Sequence, residues 1–161
     1  MKLWLQRVRG AWVRAGGEEV GRIGPGMVVF MGVRVGDGMA EVDALARKAA
    51  DLRIFDDAQG RMNLSVKDAG GGVLVISQFT LYGDTRRGNR PGWSLAAAGP
   101  EAEPLYGAMV ARLRAELGAD RVQTGRFGAE MEIGMVHDGP VSVELRREAD
   151  GGGLHGISPC H

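Results

Sequence analysis

The chain has 161 residues, 44% of them hydrophobic and 25% charged, the balance of one globular domain with its own core. Twenty Lys and Arg offset twenty Asp and Glu. A net charge of zero disfavours a protein that grips long stretches of duplex, because phosphate contacts dominate that affinity. No apolar run approaches the ~20 residues of a membrane span, the start MKLWLQRVRG lacks a secretory h-region, and a lone cysteine, Cys160, excludes an internal disulfide. A cytoplasmic protein without membrane contact is expected.

In chain order, KLWLQRV is β-rich and places Leu3, Leu5 and Arg7 on one face. AWVRAGGEEVGRI reads as two strands around Gly16-Gly17, a two-residue hairpin signal. Gly24-Pro25-Gly26 turns the chain into MVVFMGV, a buried strand. Asp37 is a candidate helix cap, after which Val42, Leu45, Ala46, Ala49 and Leu52 share one face. LRIFDDAQGRMNLSV reads as strand, turn and strand. GGGVLVISQF, from Gly70 to Phe79, is the strongest buried-strand signal.

DTRRGNRPGW then forms a Gly/Pro-rich loop carrying Arg86, Arg87 and Arg90, the best local candidate for a short nucleic-acid contact. Leu105, Met109, Leu113 and Leu117 give a helical stripe closed by Gly118. EMEIGMV and VSVELR alternate as two strands, with His137 to Pro140 between them at an expected hairpin tip. The residues from 148 to 161 have no periodicity and read as a flexible tail beyond a single domain of residues 1–147. Strands outnumber helices, so the expected class is α+β: a mixed or antiparallel sheet, curled or barrel-like, with two packed helices.

Four chemistries are open to these residues. His155, Cys160 and His161 are the only residues resembling a metal cluster, and they lie in the tail without a rigid second layer. DAGGGV and RVGDGM match neither GxxxxGK[ST] nor a strand-following GxGxxG, and read as turns. A hydroxyl at the end of the buried strand, Ser77 or Thr80, would serve as a nucleophile if a base reached it. His137 is the one histidine outside the tail, and Asp138 beside it would orient it only in an irregular loop. Finally, Gly139-Pro140 marks a turn, or a place where backbone rather than side chain carries the function.

Taken together and in this order, LQRV, LRIFDDAQGRMNLS, SQFTLYGDTRRGNRPG, TGRFGAEM and DGPVS resemble the D-aminoacyl-tRNA deacylase family over residues 1–145. The two signature segments are Ser-Gln-x-x-Leu, here Ser77, Gln78 and Leu81, and Asn-x-Gly-Pro-(Val/Phe)-Thr. The second departs from the family at His137, where the family has Asn, and at Ser142, where it has Thr.

The resemblance implies hydrolysis of the ester joining a D-amino acid to the terminal adenosine of tRNA, with no metal or cofactor and no obligatory protein nucleophile. It implies a homodimer in which a cis Gly-Pro peptide of one subunit projects into the other's active site. By the same resemblance Ser77, Gln78, Phe79 and Thr80 surround the adenosine and the scissile ester. Leu81, in the same pocket-lining segment, and Arg7 contribute to substrate binding, Arg7 by steadying the Gly-Pro loop, and Gly139 and Pro140 police chirality. Arg86, Arg87 and Arg90 would hold the acceptor end. Because the family works with an amide at position 137, the resemblance removes the main support for a His137 base.

Overall fold

The structure, a computed structural model, describes residues 1–149 and, as backbone, Gly152–Gly156. The chain opens with the strands β1 (Lys2–Ala15), β2 (Glu18–Ile23) and β3 (Gly26–Gly32), and the helix α1 (Met39–Asp51) follows. Next come β4 (Phe55–Asp56), β5 (Met62–Leu64) and β6 (Gly72–Ser77), then the helix α2 (Gly99–Leu117), β7 (Val122–Thr124), β8 (Met131–Glu148) and β9 (Gly152–Gly156). β4 and β5 form a small separate hairpin, as the sequence suggests. The other strands make one sheet in the order β7-β6-β3-β1-β8-β9, and β2 pairs with the far half of β1.

The sheet is mixed. β3, β6 and β7 run parallel, joined by crossovers through α1 and α2, and the remaining pairs are antiparallel. β2 curls back against β6 and β7, which nearly closes the sheet into a barrel.

Alternation along the strands serves two cores. Leu3, Leu5, Met27, Val29, Met31, Val73 and Val75 face the helices, where Val42, Leu45 and Ala49 of α1 and Met109 and Leu113 of α2 meet them. Val28, Leu74 and Ile76, one residue out of step, face the barrel interior with Val8, Ala11, Val13 and Ile23. That is why MVVFMGV and GVLVIS read as continuous apolar runs: both faces of β3 and β6 are covered. Burying a full aliphatic side chain contributes ~1.5–3 kcal/mol, so these two central strands anchor the fold.

Three expectations change. The residues on either side of Gly139-Pro140 are not two strands around a hairpin tip. β8 is one strand, antiparallel to β1 from end to end, with Gln6 opposite Ser142 and Val8 opposite His137. Only Arg7 lies between Gln6 and Val8, whereas residues 138–141 lie between His137 and Ser142, so four residues of β8 bulge outward against one. A Gly-Pro dipeptide signals broken pairing in either arrangement, and the local sequence does not distinguish a bulge from a reversal.

Asp37 does not cap α1. The Glu41 carboxylate accepts the Gly38 N–H (2.9 Å) at the helix start, while Asp37 accepts the Arg34 N–H (2.7 Å) and pairs with the buried Met1 ammonium (2.6 Å). The expected flexible tail is interrupted by β9, which pairs with the edge of β8 between Leu145 and Glu148. Edge pairing uses backbone groups alone and leaves no hydropathy period. Cys160 and His161, two of the three candidate tail ligands, lie outside the described residues.

Candidate active site

β6 delivers the Ser-Gln segment to the end of the sheet. After Ser77 the pairing stops: the Gln78 N–H donates to the Met31 carbonyl (2.7 Å), and residues Phe79–Tyr82 wind into a single 3-10 turn. The Gln78 side-chain amide donates to the Thr80 hydroxyl, which ties the two polar side chains together. The first N–H groups of such a turn have no partner within it, and here they belong to Phe79 and Thr80.

Ser77, Gln78 and Phe79 line a cavity of about 410 Å³. Its remaining walls are mostly apolar and come from Met31 and Val33 of the β3 end, Tyr106 of α2, Phe127, and Met131 and Ile133 of β8. The Tyr106 hydroxyl donates to the Val75 carbonyl (2.9 Å). Burial pushes its phenol up to about 12, so it stays a neutral donor and a fixed wall. The site is therefore a small apolar pocket with a few polar groups at one end, the usual makeup of a small-molecule or nucleotide site.

Phe79 is 57% exposed at the cavity mouth and meets Trp93, 43% exposed, edge to face at 5.2 Å. Between them the chain makes the arginine loop. Its neck is closed by two 2.8 Å backbone hydrogen bonds between Asp84 and Gly92. Arg86 is held by Asp84 through two bonds, 2.9 and 2.7 Å, and this partner keeps the Asp84 carboxyl low, at about 2. Arg87 and Arg90 are exposed.

The second assembly is the bulge of β8. Its Gly139-Pro140 peptide is cis, and both residues are exposed. Gly139 has φ +130°, and a Cβ there would sit 2.7 Å from the Val141 nitrogen, so only glycine fits. Beneath lies Arg7, only 7% exposed. Its guanidinium donates to the carbonyls of Ile54 (2.8 Å) and Asp138 (3.3 Å) and pairs with the carboxylates of Asp56 and Asp138. Arg9 takes the other Asp138 oxygen at 3.1 Å. His137 closes the base of the bulge, with Nε2 3.2 Å from the Val141 carbonyl.

The predicted residues thus fall into separate groups. Ser77, Gln78 and Phe79 share the cavity and Thr80 is tied to Gln78. Leu81 lies outside the lining, and its carbonyl accepts Lys2 Nζ (3.1 Å). Arg7 and Gly139-Pro140 form the second group, and Arg86, Arg87 and Arg90 the third. The His-Asp pair considered for base catalysis is not a pair: Asp138 is engaged by arginines and His137 by a carbonyl. Sequence reasoning missed Asp138 as the partner of Arg7, Tyr106 as a cavity wall and Trp93 at the mouth. Of these only Trp93, directly after an arginine-rich turn, carried a local signal.

Residues 4–146 match the family profile described as D-Tyr-tRNA(Tyr) deacylase. The chain belongs to this deacylase family. The D-aminoacyl-tRNA deacylase of Symbiobacterium thermophilum is 55% identical over 144 residues, 89% of this chain and 94% of that protein. The one from Marinobacter nauticus is 50% identical over 145 residues, 90% and 93% of the two chains. Among solved structures, one titled c-Myc DNA Unwinding Element Binding Protein superposes with a TM-score of 0.88 at 37% identity, covering 92% of this chain and 100% of that one. A probable eukaryotic D-amino acid tRNA deacylase has the same fold, with a TM-score of 0.77 at 15% identity over 97% of this chain and 98% of that one.

Proposed function

We propose that this deacylase, which splits the ester of D-aminoacyl-tRNA into free D-amino acid and tRNA, selects chirality with a Gly139-Pro140 peptide supplied by a second copy of the chain. The observation that carries the reading is the separation of the two assemblies. The cavity at Ser77 to Phe79 is lined by neither Gly139 nor Pro140 of the same chain, while the cis peptide stands exposed on a bulge buttressed by a buried arginine. An exposed, rigidly supported peptide suits insertion into a partner's pocket. The active unit is then a homodimer with the site at its interface.

An aminoacyl ester is already activated, so selection and oxyanion stabilisation are the enzyme's main tasks. The terminal adenosine enters the cavity beside Phe79. The N–H groups of Phe79 and Thr80 and the Gln78 amide are the donors within reach of the strand end for the negative charge that develops as water attacks the carbonyl. Loss of one such donor typically costs ~3–4 kcal/mol of transition-state stabilisation. Thr80 holds the Gln78 amide in place and acts without being acylated.

The inserted peptide accepts the substrate's α-amino group through its carbonyl oxygens, which fixes the directions of the two substituents on Cα. An L side chain then points into backbone and is rejected, while a D side chain points away. This filter acts by exclusion. Glycine, with hydrogen in both positions, passes it, so glycyl-tRNA is also a substrate and side-chain preference among D-amino acids is weak. Substrate and products are polar, and no helix among the described residues is long and apolar enough to cross a membrane. We place the reaction in the cytoplasm, where charged tRNA is found.

The test is intersubunit complementation. Thr80→Ala and Pro140→Ala homodimers are each deficient in D-specific hydrolysis. Mixing them by denaturation and refolding creates heterodimers with one site that combines an intact pocket with an intact Gly-Pro peptide. Recovery toward a quarter of wild-type activity is expected from a 1:1 statistical mixture, and a mixture no more active than its parents rules out a site shared between subunits.

A further inference from the structure

We propose that Trp93, backed by Phe79, is a stacking platform for the unpaired nucleotide immediately 5′ of the aminoacylated adenosine, with Arg87 and Arg90 taking the adjoining phosphates. The inference rests on the deacylase reading and adds a second nucleotide subsite to it. Its starting point is a large aromatic side chain that is rigidly held yet left in solvent.

Trp93 is 43% exposed, but its setting is not loose. The Asp84–Gly92 hydrogen bonds close the loop neck directly before it, and its own carbonyl accepts the Ala96 N–H at 3.0 Å. The edge of the indole lies over Gly83, where a Cβ would come within 2.9 Å of the ring carbon Cζ3. Phe79 braces it edge to face at 5.2 Å. A ring held by these contacts yet 43% exposed loses little freedom on binding, which is the property that makes aromatic side chains efficient partners for unstacked bases.

The surroundings give the ligand its class. Phe79 is at once a cavity wall and the neighbour of Trp93, so the platform is continuous with the pocket assigned to the terminal adenosine. The arginine loop, closed at Asp84 and Gly92, leads directly into Trp93. Arg86 is committed to Asp84 by two hydrogen bonds. Arg87 and Arg90 make no ion pair among the described residues and are exposed. Pocket, aromatic pair and two available guanidinium groups in sequence match a short single strand: base, base, phosphates. With zero net charge the molecule has no broad electrostatic attraction for RNA, so short-range stacking has to supply the affinity that a basic surface would otherwise give.

The experiment compares three esters of the same D-amino acid: on adenosine alone, on the trinucleotide CCA, and on full-length tRNA. Stacking of one base is worth ~1–3 kcal/mol, so wild-type kcat/KM should be ~5- to 150-fold higher on the trinucleotide than on the adenosine ester. Trp93→Ala should erase that advantage through KM, with a loss on the trinucleotide ester that exceeds any loss on the adenosine ester, and Trp93→Phe should keep most of it. Equal wild-type rates on the adenosine and trinucleotide esters, or an equal loss on both in Trp93→Ala, overturn the proposal. Binding of uncharged CCA, read by tryptophan fluorescence quenching that disappears in Trp93→Phe, reports on the platform without hydrolysis. Quenching in a protein that cleaves none of the esters would sink the activity reading and leave the platform standing; absence of quenching in wild type sinks the platform.

Discussion

The guanidinium of Arg7 donates to the carbonyl of Asp138, the residue directly before the cis Gly139-Pro140 peptide, at 3.3 Å. One buried cation on β1 thereby holds the outward bulge of β8 against the hairpin residues Ile54 and Asp56. Arg7→Ala removes several charge-assisted bonds at once and leaves the Ile54 carbonyl buried without its donor. Breaking a fully buried pair from one side costs ~3–5 kcal/mol. Asp56 and Asp138 are partly exposed and Asp138 keeps Arg9, so a loss of no more than the lower end, ~3 kcal/mol, is expected. At ~2–4 °C per kcal/mol for a domain of this size, thermal unfolding should fall by no more than ~6–12 °C. A melting temperature within 2 °C of wild type would show that the buttress is dispensable.

Gly139→Ala tests the peptide itself. The positive φ and the 2.7 Å approach to Val141 leave no room for a Cβ, so the bulge must change shape. Because the residue is exposed, the effect should fall on selectivity more than on stability. The ratio of D- to L-aminoacyl-tRNA cleavage, measured with matched esters, should drop at least ~10-fold while the melting temperature moves little.

At the pocket, Thr80→Ala should lower kcat by ~10²–10³, the typical loss when one oxyanion donor is misplaced, since Thr80 holds the Gln78 amide. Thr80→Ser keeps the hydroxyl and should restore most of the rate. His137→Asn should retain near-normal activity, because the contact of His137 is to a carbonyl of the bulge. A single-turnover assay in which His137→Asn is inactive would revive histidine base catalysis.

The arginine loop makes an unequal prediction. Arg87→Ala and Arg90→Ala should each weaken tRNA affinity and reduce the salt slope by ~0.7. Arg86→Ala should change it less, because that side chain is engaged by Asp84. The pairing depresses the Asp84 carboxyl from 3.8 to about 2, chiefly through the hydrogen bond from Arg86. Its contribution is therefore complete above pH ~4 and fades only as pH falls through about 2. Loop geometry should not vary across pH 5 to 8, which chemical-shift titration of the Arg86 Nε–H would check.

Much of this arrangement was legible in the sequence. The alternation of β3 and β6, the stripe of α2 and the Gly16-Gly17 turn each obey a local period, and the Ser-Gln segment falls at a strand end because the apolar run of β6 stops there. The bulge was not legible. His137 to Pro140 looks the same whether the chain reverses or swells outward, and the difference lies in β1, more than a hundred residues away, which pairs with both flanks. Asp138 misled for a related reason: its neighbour in sequence is His137, but its partners are Arg7 and Arg9. The capping role offered to Asp37 failed because a buried ammonium from the chain start competes for it. Local pattern reports local structure, whereas the bulge, Asp138 and Asp37 answer to distant partners.

The pairing of β1 with β8 also sets an order of assembly. β1 is made early and sits in the middle of the sheet, but half of its partner edge arrives only when Met131–Glu148 has been synthesised. Contacts at such sequence separation form late and slowly. On the ribosome, a nascent chain can therefore complete the strand end of Ser77, and Arg7 can meet Ile54 and Asp56, before Asp138 exists for it to hold. The Ser-Gln end of the pocket is thus translated some sixty residues before the Gly139-Pro140 peptide proposed to guard it, and the far pocket walls Met131 and Ile133 arrive on the same strand as that peptide.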